Sequence, residues 1–274
     1  MNLIDEGQRN GFPILLLHGL GANAESWYLQ IPVLVEAGYR VLAPDLPGFG
    51  KSTFDGDQWN FDWIGRELIG FLRSARINQF GLLGISMGGV IGLKLAAEYP
   101  EMVQMSVLVN TFAVLRPRRW GELGYFLRRG VRAFFLSPQA QAELVAHRIF
   151  PNDDKSLFRV MLAESIKQAN PRVYRRAMLA LARFDGRELA RRITNPVLVV
   201  SGEKDTTVPI YLQKRLAELL PNSGHVIIQG AGHALPVEQP QLFNQVMLSF
   251  YANPSEMVRA YSSKSTSGCL QEKF

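Results

Sequence analysis

Short apolar runs, each followed by a stretch with helical spacing, recur along most of this 274-residue chain. The runs are Pro13 to Leu17, Tyr39 to Ala43, Phe80 to Ile85, Val103 to Val109, Pro196 to Ser201 and Val226 to Ile228. Runs this brief suit strands buried on both faces, and the helical periods between them suit crossover connections. Helices are predicted over Ser26 to Ala37, Asn60 to Arg76, Gly88 to Tyr99, Ile210 to Leu220 and Glu238 to Tyr251. The pattern predicts an α/β fold, a mostly parallel sheet flanked by helices. With 47% apolar residues the chain can bury a substantial core.

The alternation stops after Val109. From Arg116 to Arg192 no strand is evident, only helical stretches divided by Pro138, Pro151 and Pro171. That is too long for a plain loop. The expected layout is a sheet domain in two parts, residues 1–111 and 194–252, with a helical insertion at 112–193. Residues 253–274 read as a flexible tail, most clearly from Ser262 onward. Charge is uneven: the whole chain carries +6, yet Leu115 to Arg192 holds 17 Lys and Arg against 7 Asp and Glu. Such a segment is either a set of solvated helix faces or an attractor for an acidic substrate, an acidic carrier or an anionic membrane surface. The basic, aromatic stretch from Arg116 to Leu136 also fits a membrane-surface helix. No nucleic-acid-binding motif is present. The lone cysteine, Cys269, permits no internal disulfide, and no apolar run has spanning length. These features predict a soluble, cytoplasmic protein.

Four short motifs follow predicted strands, where loops of a parallel sheet gather. Gly84-Ile85-Ser86-Met87-Gly88 lies between a strand and a helix. A serine nucleophile must stand out on a sharp turn there, and small residues two positions either side let strand and helix approach. His18-Gly19-Leu20-Gly21 follows the first run. An oxyanion needs two donors aimed at it, and the backbone N–H groups of Leu20 and Met87 are the candidates. His18 itself reads as a brace for its loop. Ser201-Gly202-Glu203-Lys204-Asp205 offers a carboxylate, Asp205 being favoured over Glu203. Gly230-Ala231-Gly232-His233 offers an imidazole, the side chain suited to a general base near neutral pH. His147 and His225 read as surface or packing residues. Gly50-Lys51-Ser52 ends like a phosphate-binding loop, but Asp45 stands where that motif needs glycine. No metal-ligand spacing is present, and no cofactor is expected.

Taken in order, HGLG at 18–21, DLPGFGKS at 45–52, GISMGG at 84–89, GEKD at 202–205 and GAGH at 230–233 resemble the α/β-hydrolase family. The resemblance implies an α/β-hydrolase fold with an inserted helical cap. It implies a serine hydrolase with Ser86 as nucleophile, His233 as base and Asp205 as its orienting acid. Trp120, Tyr125, Phe126, Phe134, Phe135 and Phe158 are candidates to line an acyl pocket beneath the cap. Relatives usually carry a hairpin before the HG strand, and with only twelve residues there the first strand is expected to be missing. Serine at position 86, where dehalogenases and epoxide hydrolases of this fold use aspartate, points to acyl chemistry. The leading expectation is a carboxylesterase acting on small or medium esters, including lactones. Alternatives are a C–C bond hydrolase, a carrier-linked methyl-ester hydrolase, and a ligand receptor that kept the triad.

Overall fold

The structure is a computed structural model and describes residues 1–116, 120–132, 138–151 and 155–262. Its strands are β1 (Leu3–Glu6), β2 (Pro13–Leu17), β3 (Arg40–Pro44), β4 (Phe80–Ile85), β5 (Val103–Val109), β6 (Val197–Gly202) and β7 (Ser223–Ile228). They form one sheet in the order β1-β3-β2-β4-β5-β6-β7. β1 is antiparallel to β3, and all other pairings are parallel.

Successive strand residues face opposite cores, which is why the strands read as continuous apolar runs. Leu15, Leu17, Leu42, Leu82 and Leu108 enter one core with Leu68, Val90 and Leu216. Those three come from α2 (Phe61–Ser74), α3 (Met87–Glu98) and, later in the chain, Ile210–Leu219. Ile14, Leu16, Val41, Leu83 and Val107 enter the other core with Leu34, Phe243, Val246 and Met257. Leu34 belongs to α1 (Ile31–Glu36), and the rest to two helices near the C-terminal end.

Strand order reverses between β2 and β4, since the chain crosses β2 on its way from β3 to β4. A crevice opens outside the carboxyl ends of strands at such a point. The HGLG turn follows β2 and Ser86 follows β4, so both arrive at that crevice.

Among the described residues, the segment inserted after β5 carries the helices α4 (Trp120–Val131), α5 (Pro138–Ile149), α6 (Ser156–Gln168) and α7 (Pro171–Arg183). A bridge between Val114 and Asp185 and a hydrogen bond from Gly186 N to Ala113 O (2.7 Å) close the neck of this segment. α8 (Arg187–Arg192) then packs on α3, and Ala190 joins the sheet's core. The inserted helices are tied down to the sheet's loops. Ser165 Oγ donates to Gly21 O (2.8 Å), and Asn170 N to Gly48 O (2.9 Å).

The remaining helices are α9 (Ile210–Leu219), α10 (Leu235–Glu238), α11 (Pro240–Ala252) and α12 (Pro254–Ala260). Three sequence expectations need correction. The first strand is present: Leu3 and Ile4 pair with Pro44 and Ala43, four residues being enough for an edge strand. The expected tail from 253 begins instead with α12, whose Met257 and Val258 are buried, and Ser262 bridges to Gly224. One apolar pair is too little periodicity to announce a helix. The predicted helix from Ser26 to Ala37 is divided into a 3-10 turn (Ala24–Trp27) and α1, because Pro32 in the first turn of α1 starts a new helix.

One buried carboxylate holds the sheet's β1 edge to its loops. Asp45, 2% exposed, accepts from Ala24 N, Asn2 Nδ2 and Lys51 N, each at 2.8 Å. Asp45→Ala leaves these donors without their acceptor and is expected to cost about 3 kcal/mol. Equilibrium urea unfolding checks this, and a loss under about 1 kcal/mol contradicts it.

Candidate active site

Ser86 sits at the end of the central strand with φ 54° and ψ −111°, a left-handed backbone at a non-glycine residue. Such a conformation is strained and persists only where the surroundings impose it. Here Ser86 N donates to Val109 O (2.9 Å), while Ser86 O accepts from Val90 N (3.0 Å) and from Thr111 Oγ1 (2.8 Å). The turn is tight enough that a Cβ at Gly84 would lie 2.5 Å from Gly88 O, and one at Gly88 would lie 2.0 Å from Leu17 O. Glycine at both positions follows from this approach of β4, α3 and β2. The next residue, Met87, is buried and opens α3.

His233 Nδ1 is 2.9 Å from Asp205 Oδ2. The Asp205 side chain is fully buried and accepts three further hydrogen bonds. Oδ1 takes those of Thr207 N (2.7 Å) and Val208 N (2.9 Å), and Oδ2 takes that of Gln213 Nε2 (3.2 Å). With three N–H donors already directed at it, the carboxylate is placed to accept from His233 Nδ1 as well, an arrangement that keeps the lone pair of the ring on Nε2. Glu203, the competing carboxylate, turns instead to Gly230 N (3.0 Å).

The imidazole loop is braced by residues that sequence reasoning missed. Glu238 accepts from Gly232 N (2.7 Å) and Ala234 N (2.9 Å), and burial pushes its carboxyl pKa up. Asn110, just past β5 and also left-handed (φ 45°), donates through Nδ2 to Gly232 O (2.9 Å) and His233 O (2.8 Å). Its Oδ1 accepts from Gly202 N (2.8 Å) at the foot of the Asp205 loop. Neither residue belongs to a short motif: Asn110 is identified by partners about 90 to 120 residues away, and Glu238 by the backbone amides that the folded loop turns toward it.

His18 is fully buried and braces its loop as expected. Nδ1 donates to Gly19 O (2.8 Å), and Nε2 accepts from Leu46 N (3.0 Å). Burial lowers its pKa to about 4, so the ring is neutral. His225 lies on β7, its Nε2 2.8 Å from Ser201 Oγ, and burial lowers its pKa to about 4 as well. His147 is an exposed residue of α5.

Ser86, His233, Gly19 and Leu20 line one cavity of about 370 Å³, with Val145, Ile149, Phe158 and Leu162 of the inserted helices on its other side. Of the aromatic residues named from sequence, Phe158 is on the wall. Tyr125 is buried beneath the Arg148 guanidinium, 3.8 Å from its ring centroid. Phe134, Phe135 and the side chains of Trp120 and Phe126 lie outside the described residues. One polar wall residue, Arg129, was not singled out from sequence. Among the described residues no group of three or more His, Cys, Asp or Glu could hold a metal ion, and no helix is long and apolar enough to cross a membrane.

Comparison with known proteins agrees with this architecture. A 3-oxoadipate enol-lactonase 2 from Acinetobacter baylyi is 30% identical over 252 residues, covering 90% of this chain and 91% of that protein. A 2-hydroxy-6-oxo-6-(2'-aminophenyl)hexa-2,4-dienoic acid hydrolase from Metapseudomonas resinovorans is 29% identical over 262 residues, covering 91% and 87%. In fold, the chain superposes on an enol-lactonase from Burkholderia xenovorans with a TM-score of 0.84 at 24% identity, over 92% of this chain and 96% of that one. The profile of the alpha/beta hydrolase fold matches residues 13–240. Because that match runs from the start of β2 to the start of α11, across sheet and inserted helices alike, the chain belongs to the α/β-hydrolase family.

Proposed function

We propose that the protein hydrolyses carboxylic esters, lactones included, through an acyl-enzyme on Ser86. The observation that carries the proposal is the His233–Asp205 hydrogen bond beside a cavity that also exposes Ser86. With Nδ1 protonated, Nε2 of His233 takes the Ser86 proton as Oγ attacks the substrate carbonyl. Asp205 fixes that tautomer and stabilises the imidazolium. The backbone N–H groups of Leu20 and Met87 donate to the oxyanion, and the start of α3 adds its dipole. When the tetrahedral intermediate collapses, His233 returns the proton to the leaving alkoxide. Water then attacks the acyl-enzyme, with His233 again as base, releasing the acid and restoring Ser86. The inserted helices act as a cap that excludes bulk water and shapes the acyl pocket.

A second reading is hydrolysis of a carbon–carbon bond beside a ketone. The Metapseudomonas resinovorans relative favours it. The same serine and imidazole serve either reaction.

One measurement tests the ester reading. Turnover of p-nitrophenyl butyrate is expected in the intact protein, with kcat/KM about 10⁴-fold lower or less still in Ser86→Ala. A Ser86→Ala protein that retains most of that activity contradicts the assignment. The strained turn makes a separate prediction about stability. Glycine at 86 releases the left-handed strain at some cost in chain entropy, so Ser86→Gly is expected to be about 1 kcal/mol more stable than Ser86→Ala. Thermal unfolding of the two variants checks it, and equal midpoints would remove the claim of strain.

A further inference from the structure

Arg129 projects from α4 into the cavity that holds Ser86 and His233. It is 9% exposed, and among the described wall residues it is the only lysine or arginine. Its Nη2 donates to the Tyr174 hydroxyl (3.1 Å), and Tyr125 supplies a second phenol contact. Nε is buried with no hydrogen-bond partner among the described residues.

The guanidinium is charged at any working pH, yet no carboxylate among the described residues pairs with it. The cavity's two wall glutamates are engaged elsewhere: Glu25 with Lys51 (2.9 Å) and Glu164 with Lys167 (2.8 Å), both on exposed side chains. Asp205 is committed to His233, Gln213 and two backbone amides. A buried cation held by neutral phenols is costly unless an anion joins it. The two tyrosines nevertheless fix the group in place: Tyr174 is fully buried, and Tyr125 is held beneath Arg148. A fixed guanidinium on the wall of a mostly apolar pocket, with one buried N–H left unpartnered, has the chemistry that recognises a carboxylate. One cation matches one negative charge. A phosphate monoester carries nearly two, and the described wall residues offer no second cation.

We infer that the substrate is an ester or lactone bearing a second, free carboxylate, and that Arg129 binds this carboxylate while the scissile carbonyl lies at Ser86. The inference rests on the hydrolytic reading above and names the substrate class for that site. It also accounts for the strongly basic stretch from Leu115 to Arg192, which would draw an acidic substrate toward the pocket.

The test uses matched substrates, mono-4-nitrophenyl glutarate and its methyl ester, in which a methyl group caps the distal carboxylate and removes its charge. The intact protein is expected to favour the acid by about ten- to a hundredfold in kcat/KM. That ratio should fall toward one in Arg129→Gln and recover in part in Arg129→Lys. Hydrolysis of both esters without preference in the intact protein overturns the inference and leaves the hydrolase reading standing. So does a drop in Arg129→Gln that is equal for both. A binding arm separates the two readings. Ser86→Ala is titrated calorimetrically with monomethyl and dimethyl glutarate, with and without Arg129→Gln. Tighter binding of the acid that depends on Arg129 supports the carboxylate site even where the intact protein cleaves neither ester. Equal binding of the two ligands overturns it.

Discussion

A single buried amide joins the loops on which the site depends. Asn110 follows β5 in a left-handed conformation and reaches three backbone groups: Gly202 N at the end of β6, and Gly232 O and His233 O in the loop after β7. The residue before it, Val109, accepts the hydrogen bond of Ser86 N. The serine turn, the carboxylate loop and the imidazole loop are therefore referenced to one point of backbone. Their mutual positions do not rely on long side chains finding one another across a crevice. This matters energetically, because a triad is useful only when its geometry is set before substrate arrives.

The sheet supplies the frame for that point. Both of its faces are covered, so its strands are rigid, and its order reverses between β2 and β4. The reversal opens the crevice where the HGLG turn and Ser86 meet. The inserted helices close over it, anchored to the sheet's loops at Gly21 and Gly48. They bring apolar side chains and Arg129 into the space above the serine. In the proposed function the sheet's carboxyl edge holds the reacting groups, and the insertion decides what lies against them.

Much of this was legible in the sequence, for a physical reason. A strand buried on both faces is an apolar run, and a loop at a strand's carboxyl end follows that run directly. Ser86, Asp205 and His233 could thus be assigned to loops at one sheet edge from the sequence, while the His233–Asp205 hydrogen bond itself is a finding of the structure. Asn110, Glu238 and Arg129 were not legible. Each matters through partners far away in the chain or through burial that one residue's identity does not announce. Asn110 looks like any polar residue after a strand, and Arg129 looks like one more charge on a basic helix. β1 and α12 escaped notice because four-residue strands and helices with one apolar pair carry almost no periodic signal.

The proposed reaction requires Ser86, His233 and the amides of Leu20 and Met87 to converge on one reacting carbon. The most direct measurement is a crystal structure of the protein after reaction with a phosphonate ester. Phosphorus is expected to be bonded to Ser86 Oγ, with the phosphonyl oxygen at about 2.7–3.1 Å from both amides and His233 Nε2 facing the leaving-group side. Phosphorus attached to another residue, or a phosphonyl oxygen directed into the cavity away from both amides, would contradict it.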